Sequence, residues 1–177
     1  MTADDKRLDI LRKAIRDIPD FPKKGILFRD ITPLLGDPKA LRTTLDLLEE
    51  RYRDEQLDRI VAVESRGFIF GCALADRLGI GFAPVRKPGK LPWKTVSVSY
   101  DLEYGSDTVE MHSDALEKGE RVLLVDDLLA TGGTAAATCE LVERIGGKVV
   151  GAAFVVELLA LKGREKIPNV PVFSLVD

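Results

Sequence analysis

The sequence predicts an α/β fold, with a mainly parallel central sheet flanked by helices and a β-hairpin flap set into it. Three observations predict it. Apolar runs at Arg59–Glu64 (RIVAVE), Val122–Val125 and Lys148–Val156 suit strands covered on both faces. The first two are each followed by a polar, glycine-bearing turn and then a helix-forming stretch. Strand and helix signals alternate along the chain, with no repeat, linker or low-complexity segment. A length of 177 residues suits one domain, spanning 1–177, with a sizeable core.

Taken in order, Thr2–Ile18 reads as an amphipathic helix, with Leu8, Leu11, Ile15 and Ile18 on one face. The segment PDFPKKG ends it in a turn. Ile26-Leu27-Phe28 is a short apolar run closed by Arg29-Asp30, and Pro38–Arg53 is a helix with Leu41, Leu45 and Leu48 inward. The strand Arg59–Glu64 runs through Ser65-Arg66-Gly67 into the helix Phe68–Leu78, a strand–turn–helix pattern that makes an anion site. After the strand Gly81–Val85 come three cations in five residues, Arg86, Lys87 and Lys90, which suit a polyphosphate. Thr95–Tyr100 and Ser106–His112 alternate and form a ribbon around Asp101–Gly105. With little to bury on one face, this hairpin is expected to be a mobile flap. Trp93 stands at its base, and His112, the only histidine, reads as structural. Ala115–Glu120 is a turn, Gly146-Gly147 ends a helix over Ala135–Ile145, and PVFSLV closes the sheet.

The chemistry concentrates in Val122–Thr134, VLLVDDLLATGGT. Asp126 and Asp127 follow the apolar run, where the strand is expected to end. Thr131, Gly132, Gly133 and Thr134 lead into the helix. The glycines let backbone N–H groups turn toward one point, and the helix start adds partial positive charge. Three or four charge-assisted bonds of about 1.5–3 kcal/mol each, before desolvation, could hold a phosphate there. A ribose 5-phosphate satisfies both ends, with its phosphate in the loop and its 2- and 3-hydroxyls on the two carboxylates. The string is no P-loop, since Thr134 stands where that pattern needs lysine, and no GxGxxG is present.

Composition narrows the class. A net charge of −3 argues against a general nucleic-acid or anionic-membrane binder. No run approaches the length of a membrane helix, and MTADDKRLDI is unlike a signal peptide. Cys72 and Cys139 are expected to be buried free thiols in a reducing cytoplasm. Two distant cysteines and one histidine make no protein metal cage, so a metal is expected to arrive with phosphates as Mg²⁺.

Val122–Thr134 resembles the 5-phosphoribosyl-1-pyrophosphate (PRPP) motif of type I phosphoribosyltransferases, and its DDLLATGGT wording is close to that of adenine phosphoribosyltransferases. The resemblance runs from about Phe21 to the C-terminus. It implies the type I phosphoribosyltransferase fold, with residues 1–35 forming an N-terminal helix and purine-covering segment, and 95–112 the flap. It implies transfer of the phosphoribosyl group from PRPP to adenine, giving AMP and pyrophosphate in purine salvage, with Mg²⁺ held through PRPP. Asp126, Asp127, Ala130, Thr131, Gly132, Gly133 and Thr134 would bind the ribose and 5-phosphate. Ser65, Arg66 and Gly67, from ESRGF, would bind pyrophosphate, with a cis peptide at Ser65–Arg66. Arg86, Lys87 and Lys90 would reach the pyrophosphate of a neighbouring copy in a homodimer.

FPKKGILFRDITPLL is similar to the family's purine-covering segment. Leu27 and Arg29 would contact adenine through their main chain, Phe28 through its ring, and Leu158 would pack on the base. One C=O and one N–H match the donor and acceptor of adenine, whereas a 6-oxopurine leaves buried groups unpaired at about 1–3 kcal/mol each. In the flap, Glu103 would manage a purine proton at N7 and Tyr104 would help seal the site. Glu103, Arg66 and Asp127 are thus the implied catalytic residues. Two alternatives stand beside this reading: the same transfer to another purine base, and a PRPP-sensing regulator that binds DNA.

Overall fold

A computed structural model of the chain describes residues 2–21, 24–101 and 105–177. Helix α1 (Ala3–Ala14) opens with a reciprocal cap between Thr2 and Asp5. It ends four residues before the expected Ile18, and Arg16–Pro19 is instead a strand, β1, paired antiparallel with β2 (Leu27–Asp30). Pro19 is the physical reason. It has no N–H to give the Ile15 carbonyl, and it biases Ile18 to extended backbone. Leu11 is buried as expected, while Ile18 stands opposite Phe28 on the ribbon. A short helix, α2 (Thr32–Gly36), and α3 (Pro38–Tyr52) follow, and Asp37 caps α3 by accepting from Lys39 and Ala40 N–H.

The central sheet is built from β3 (Arg59–Val63), β4 (Gly81–Val85), β7 (Arg121–Leu129), β8 (Lys148–Glu157) and β9 (Val172–Val176). Its order is β4-β3-β7-β8-β9, and every neighbouring pair is parallel. Helix α4 (Gly67–Leu78) joins β3 to β4, and α5 (Gly133–Ile145) joins β7 to β8. Both faces are covered, as the apolar runs require. Leu123 and Val125 join a core with Leu11, Leu48, Phe70 and Leu74, while Val122 and Leu124 face Leu141, Val142 and Met111. This period-two alternation divides one strand between two cores.

The expected hairpin is present as β5 (Thr95–Asp101) and β6 (Ser106–His112). It is less detached than the sequence suggests. Val98, Val109 and Met111 are 4%, 0% and 0% exposed and belong to the core on the α5 side. Alternation gathers these apolar residues on one face, and that face rests on α5. A second correction concerns cysteine: Cys139 is buried as expected, but Cys72 is exposed on α4. The α4 core stripe runs through Phe70, Gly71 and Leu74, which leaves position 72 turned outward. Among the described residues, no helix is long and apolar enough to cross a membrane.

Candidate active site

Strands β3 and β7 are neighbours, with Ala62 opposite Val125, yet the chain leaves them in opposite directions: β3 to β4 on one side, β7 to β8 on the other. The loops after the two strands therefore diverge and open a crevice at the carboxyl edge of the sheet, where ligands of open α/β sheets bind.

The aspartates precede the second of these loops, and here the sequence expectation needs correction. Strand β7 does not stop at Val125 but continues through both acids to Leu129. It can do so because β8 runs alongside as far as Glu157, pairing Asp126 with Phe154 and Leu129 with Glu157. Asp126 and Asp127 thus point to opposite faces of a strand. Asp127 is 6% exposed, and its carboxylate accepts a bond from Arg66 Nε at 2.5 Å. Asp126 Oδ1 accepts from the Asp127 N–H at 2.8 Å. Burial, with the adjacent Asp127 charge, pushes the Asp126 carboxyl well above the usual carboxylate range.

Beyond Leu129 the candidate phosphate loop forms. Gly132 has φ +80°, which favours glycine, and a Cβ there would overlap the carbonyl oxygen of Gly163. Gly163 is equally constrained, since a Cβ on it would lie 2.5 Å from the Ala130 carbonyl oxygen. Two glycines from distant segments so let the loop and the Gly163 turn touch backbone to backbone. Ala130, Thr131, Gly132, Gly133 and Thr134 line a small cavity of about 80 Å³ at the start of α5. The loop offers no charged side chain of its own, only N–H groups, two hydroxyls and the helix terminus.

The first loop works differently. The peptide Glu64–Ser65 is cis, one bond earlier than the expected Ser65–Arg66. The Glu64 N–H donates to the Val85 carbonyl at 2.9 Å, so Glu64 is the residue still tied to β4 while Ser65 leaves the sheet. Gly67 starts α4, and a Cβ there would lie 2.6 Å from Asp126 Oδ1, so only glycine lets this helix start so close to the acid. Ser65, Arg66, Lys87, Asp126, Asp127 and Thr134 line a polar cavity of about 270 Å³.

Each cation of the basic segment has an acidic partner. Arg86 Nε donates to Glu64 at 2.7 Å, and the Lys90 ammonium lies 3.3 Å from the same carboxylate. Burial opposes the Glu64 charge, but these two bonds outweigh it and hold its carboxyl below the ordinary glutamate value. Lys87 pairs with Asp107 on β6.

A third cavity, about 600 Å³ and mostly apolar, lies on the other side of the phosphate loop. Leu27 and Arg29 form one wall, Leu158, Leu159 and Leu161 another, with Glu157 at the back and Thr131 at the join to the loop. Glu157 is 2% exposed and is neutralised by Arg164, which donates to both its oxygens at 2.5 Å. Phe28 is not in this wall. Its ring packs edge-on against Phe21 at 5.2 Å and lies 5.9 Å from the Arg66 guanidinium carbon.

The structure brings together Ser65, Arg66, Lys87, Asp126, Asp127 and the 130–134 loop, with Leu27, Arg29 and Leu158 next door. Arg86 and Lys90 stand one step back, on Glu64. Glu103 and Tyr104 lie outside the described residues. Sequence reasoning missed Glu64, Glu157 and Gly163, which hold the site through long-range partners. It also missed Tyr100, whose hydroxyl is 2.9 Å from Thr134 Oγ1, and Asp107. Their signal lies in the ribbon itself, because pairing its two strands around the turn sets Tyr100 opposite Asp107.

An anion cup, paired carboxylates and cations at one switch point define a site for a phosphorylated sugar, and the comparisons agree. The family model described as "Phosphoribosyl transferase domain" matches residues 33–177, and the chain belongs to this family. Within it, the similarity is to adenine phosphoribosyltransferases. The one from Solidesulfovibrio magneticus is 63% identical over 157 residues, covering 89% of this chain and 92% of the relative. That of Maridesulfovibrio salexigens is 58% identical over 166 residues, covering 94% and 98%. The crystal structure of adenine phosphoribosyltransferase from Thermoanaerobacter pseudethanolicus has a TM-score of 0.92 at 52% identity, covering 96% of this chain and 98% of that one. The Saccharomyces cerevisiae enzyme, complexed with an imino-altritol bisphosphate and adenine, has a TM-score of 0.91 at 44% identity, covering 97% and 99%.

Proposed function

We propose that this chain is an adenine phosphoribosyltransferase, converting adenine and PRPP to AMP and pyrophosphate in purine salvage. The observation that carries the reading is the succession of three cavities around one loop. Thr131 joins the phosphate loop to the apolar cavity, and Thr134 joins it to the polar one. A ribose anchored at its 5-phosphate thereby has room for a flat base on one side and a diphosphate on the other.

The residues then divide the work. The 130–134 loop binds the 5-phosphate, and Asp126 and Asp127 accept from the ribose hydroxyls. This holds C1 between leaving group and base, so that N9 attacks as the pyrophosphate departs and C1 is inverted. Ser65, Gly67 and Arg66 bind the pyrophosphate, and Arg66 and Lys87 stabilise the charge that grows on it. Arg66 reaches that position by leaving Asp127, which frees the carboxylate for the sugar. Leu27 and Arg29 read the base through their main chain and Leu158 packs on it, while Phe28 contributes its ring only by turning from Phe21 toward the base. Glu103 manages the purine proton and Tyr104 covers the site; the sequence motif alone supports these two roles.

The donor set fits Mg²⁺ that arrives with substrate. Glu64 and Asp127 are already engaged by cations, and among the described residues no group of three metal-binding side chains forms. Held through the diphosphate, Mg²⁺ would supply charge neutralisation for the leaving group. The partner is a second copy of the chain, with Arg86 and Lys90 turned from Glu64 to its pyrophosphate; Lys87, expected to go with them, lines this chain's own polar cavity and is assigned there instead. The setting is the cytoplasm. Light scattering tests the dimer.

The decisive experiment is Mg²⁺-dependent turnover with PRPP and labelled adenine in competition with hypoxanthine and guanine. AMP as the dominant product is expected. Preference for a 6-oxopurine would keep the transfer and overturn the base. PRPP binding without any turnover would favour a sensor.

A further inference from the structure

Two strands of the hairpin stem converge on substrate-binding residues that come from elsewhere in the chain. Tyr100, near the end of β5, and Asp107, near the start of β6, stand opposite each other. The Tyr100 hydroxyl is 3.1 Å from Asp107 Oδ2 and 2.9 Å from Thr134 Oγ1. Asp107 pairs with the Lys87 ammonium, which also lies 3.4 Å from the Tyr100 hydroxyl. The Tyr100 ring covers the phosphate loop, because a Cβ on Gly133 would lie 3.0 Å from its Cδ2. The backbone fixes the geometry: the Arg86 N–H donates to the Glu110 carbonyl at 2.9 Å, and the Glu110 N–H returns a bond at 2.7 Å, which lays Lys87 along β6.

We infer that Tyr100 and Asp107 are positioning residues that govern how Thr134 and Lys87 meet the two ends of PRPP. The inference rests on the site reading above. Hydroxyl arithmetic carries it. Tyr100 has one proton and two oxygen neighbours, Asp107 and Thr134. In the free protein the carboxylate is the stronger acceptor, so Tyr100 donates to Asp107 and accepts from Thr134. A 5-phosphate needs the Thr134 proton. Thr134 then turns its hydroxyl to the phosphate and is left free to accept from Tyr100. A pyrophosphate needs the Lys87 ammonium, which must leave Asp107. As Lys87 departs, Asp107 loses a charged donor, and with the single Tyr100 proton now drawn toward Thr134 it keeps outright only its local bond from Thr108 N–H. Filling the two ends of the site thus draws on one shared set of protons at the base of the hairpin.

The arrangement assigns opposite effects to two conservative variants, which a general loss of packing would not produce. Tyr100→Phe removes the hydroxyl that supports Thr134. The expected result is a rise of about fivefold in KM for PRPP and in the dissociation constant of ribose 5-phosphate, with KM for adenine unchanged. Asp107→Asn removes the competitor for Lys87, and pyrophosphate is expected to bind about fivefold more tightly by calorimetry, while kcat falls. If Tyr100→Phe does not fold, the Asp107→Asn measurement decides alone. Unchanged pyrophosphate affinity in Asp107→Asn, or equal weakening for adenine, PRPP and pyrophosphate in both variants, overturns the inference. Lys87→Gln and Thr134→Ala run alongside. If they leave pyrophosphate and ribose 5-phosphate binding at wild-type strength, the site reading itself fails and takes the inference with it.

Discussion

The loops that follow β3 and β7 sit side by side and offer an anion opposite kinds of site. The loop after β7 presents its backbone: Gly132 has a positive φ, Gly133 begins α5, and no charged side chain belongs to the loop. The loop after β3 has no positive φ and presents side chains, Arg66 within it and Lys87 beside it, each paired with a carboxylate. A backbone cup is rigid and suits a group that stays attached throughout, such as a 5-phosphate. Paired cations can be exchanged, which suits a group that binds and leaves.

Gly132→Ala puts this contrast under the greatest strain. It combines a left-handed residue bearing a Cβ with overlap on the Gly163 backbone, which cannot yield as a side chain could. Turnover is expected to fall by on the order of 10²–10³-fold, since a loop shifted by about 1 Å misplaces C1. A variant with wild-type kcat/KM would show that the cup is not rigid.

Next is Asp127→Asn, which releases Arg66 and removes a proposed ribose acceptor together. A loss of about 10²-fold in kcat/KM is expected, with pyrophosphate binding kept or tightened because Arg66 no longer has to leave a carboxylate. Weaker pyrophosphate binding would mean that the pair orients Arg66 and does not compete for it.

Asp126→Asn has a smaller effect and a distinct pH signature. The folded protein raises the Asp126 pKa, so above the ordinary aspartate value of about 3.9 it binds more protons than the unfolded chain. Its contribution to stability therefore declines as pH rises through that window. The asparagine variant is expected to lose this slope and to melt a few degrees higher than wild type at neutral pH without ligand, about 1 kcal/mol. Parallel melting curves at every pH would refute the buried, like-charged pair. Smallest is Thr131→Val, which removes one donor from the cup and is expected to raise KM for PRPP about fivefold at constant kcat. A fall in kcat alone would move Thr131 from binding to the transition state.

What could be read from the chain is what is contiguous in it. A strand, two acids, a glycine turn and a helix within Val122–Thr134 state their chemistry locally, because backbone conformation and helix polarity act over a few residues. The end of α1 is harder to read. Ile15 and Ile18 continue a helical spacing, while the opposing influence of Pro19 acts through a single missing N–H. The run of β7 past its aspartates is hidden for another reason: it depends on the length of β8, and the sheet bonds that extend a strand come from its neighbour.

The alternation of strands and helices, the glycine turn into α5, and the number and order of cations and acids all follow from the sequence unaided. Which acid holds which cation does not. Arg66 with Asp127, Arg86 and Lys90 with Glu64, and Lys87 with Asp107 join segments 20 to 61 residues apart, and only the folded chain pairs them. The need for glycine at position 163 is likewise tertiary, since the meeting of its turn with the loop at Gly132 is what leaves no room for a Cβ. Such partners are chosen by sheet order and by the direction in which each loop leaves the crevice, and neither is written in local spacing.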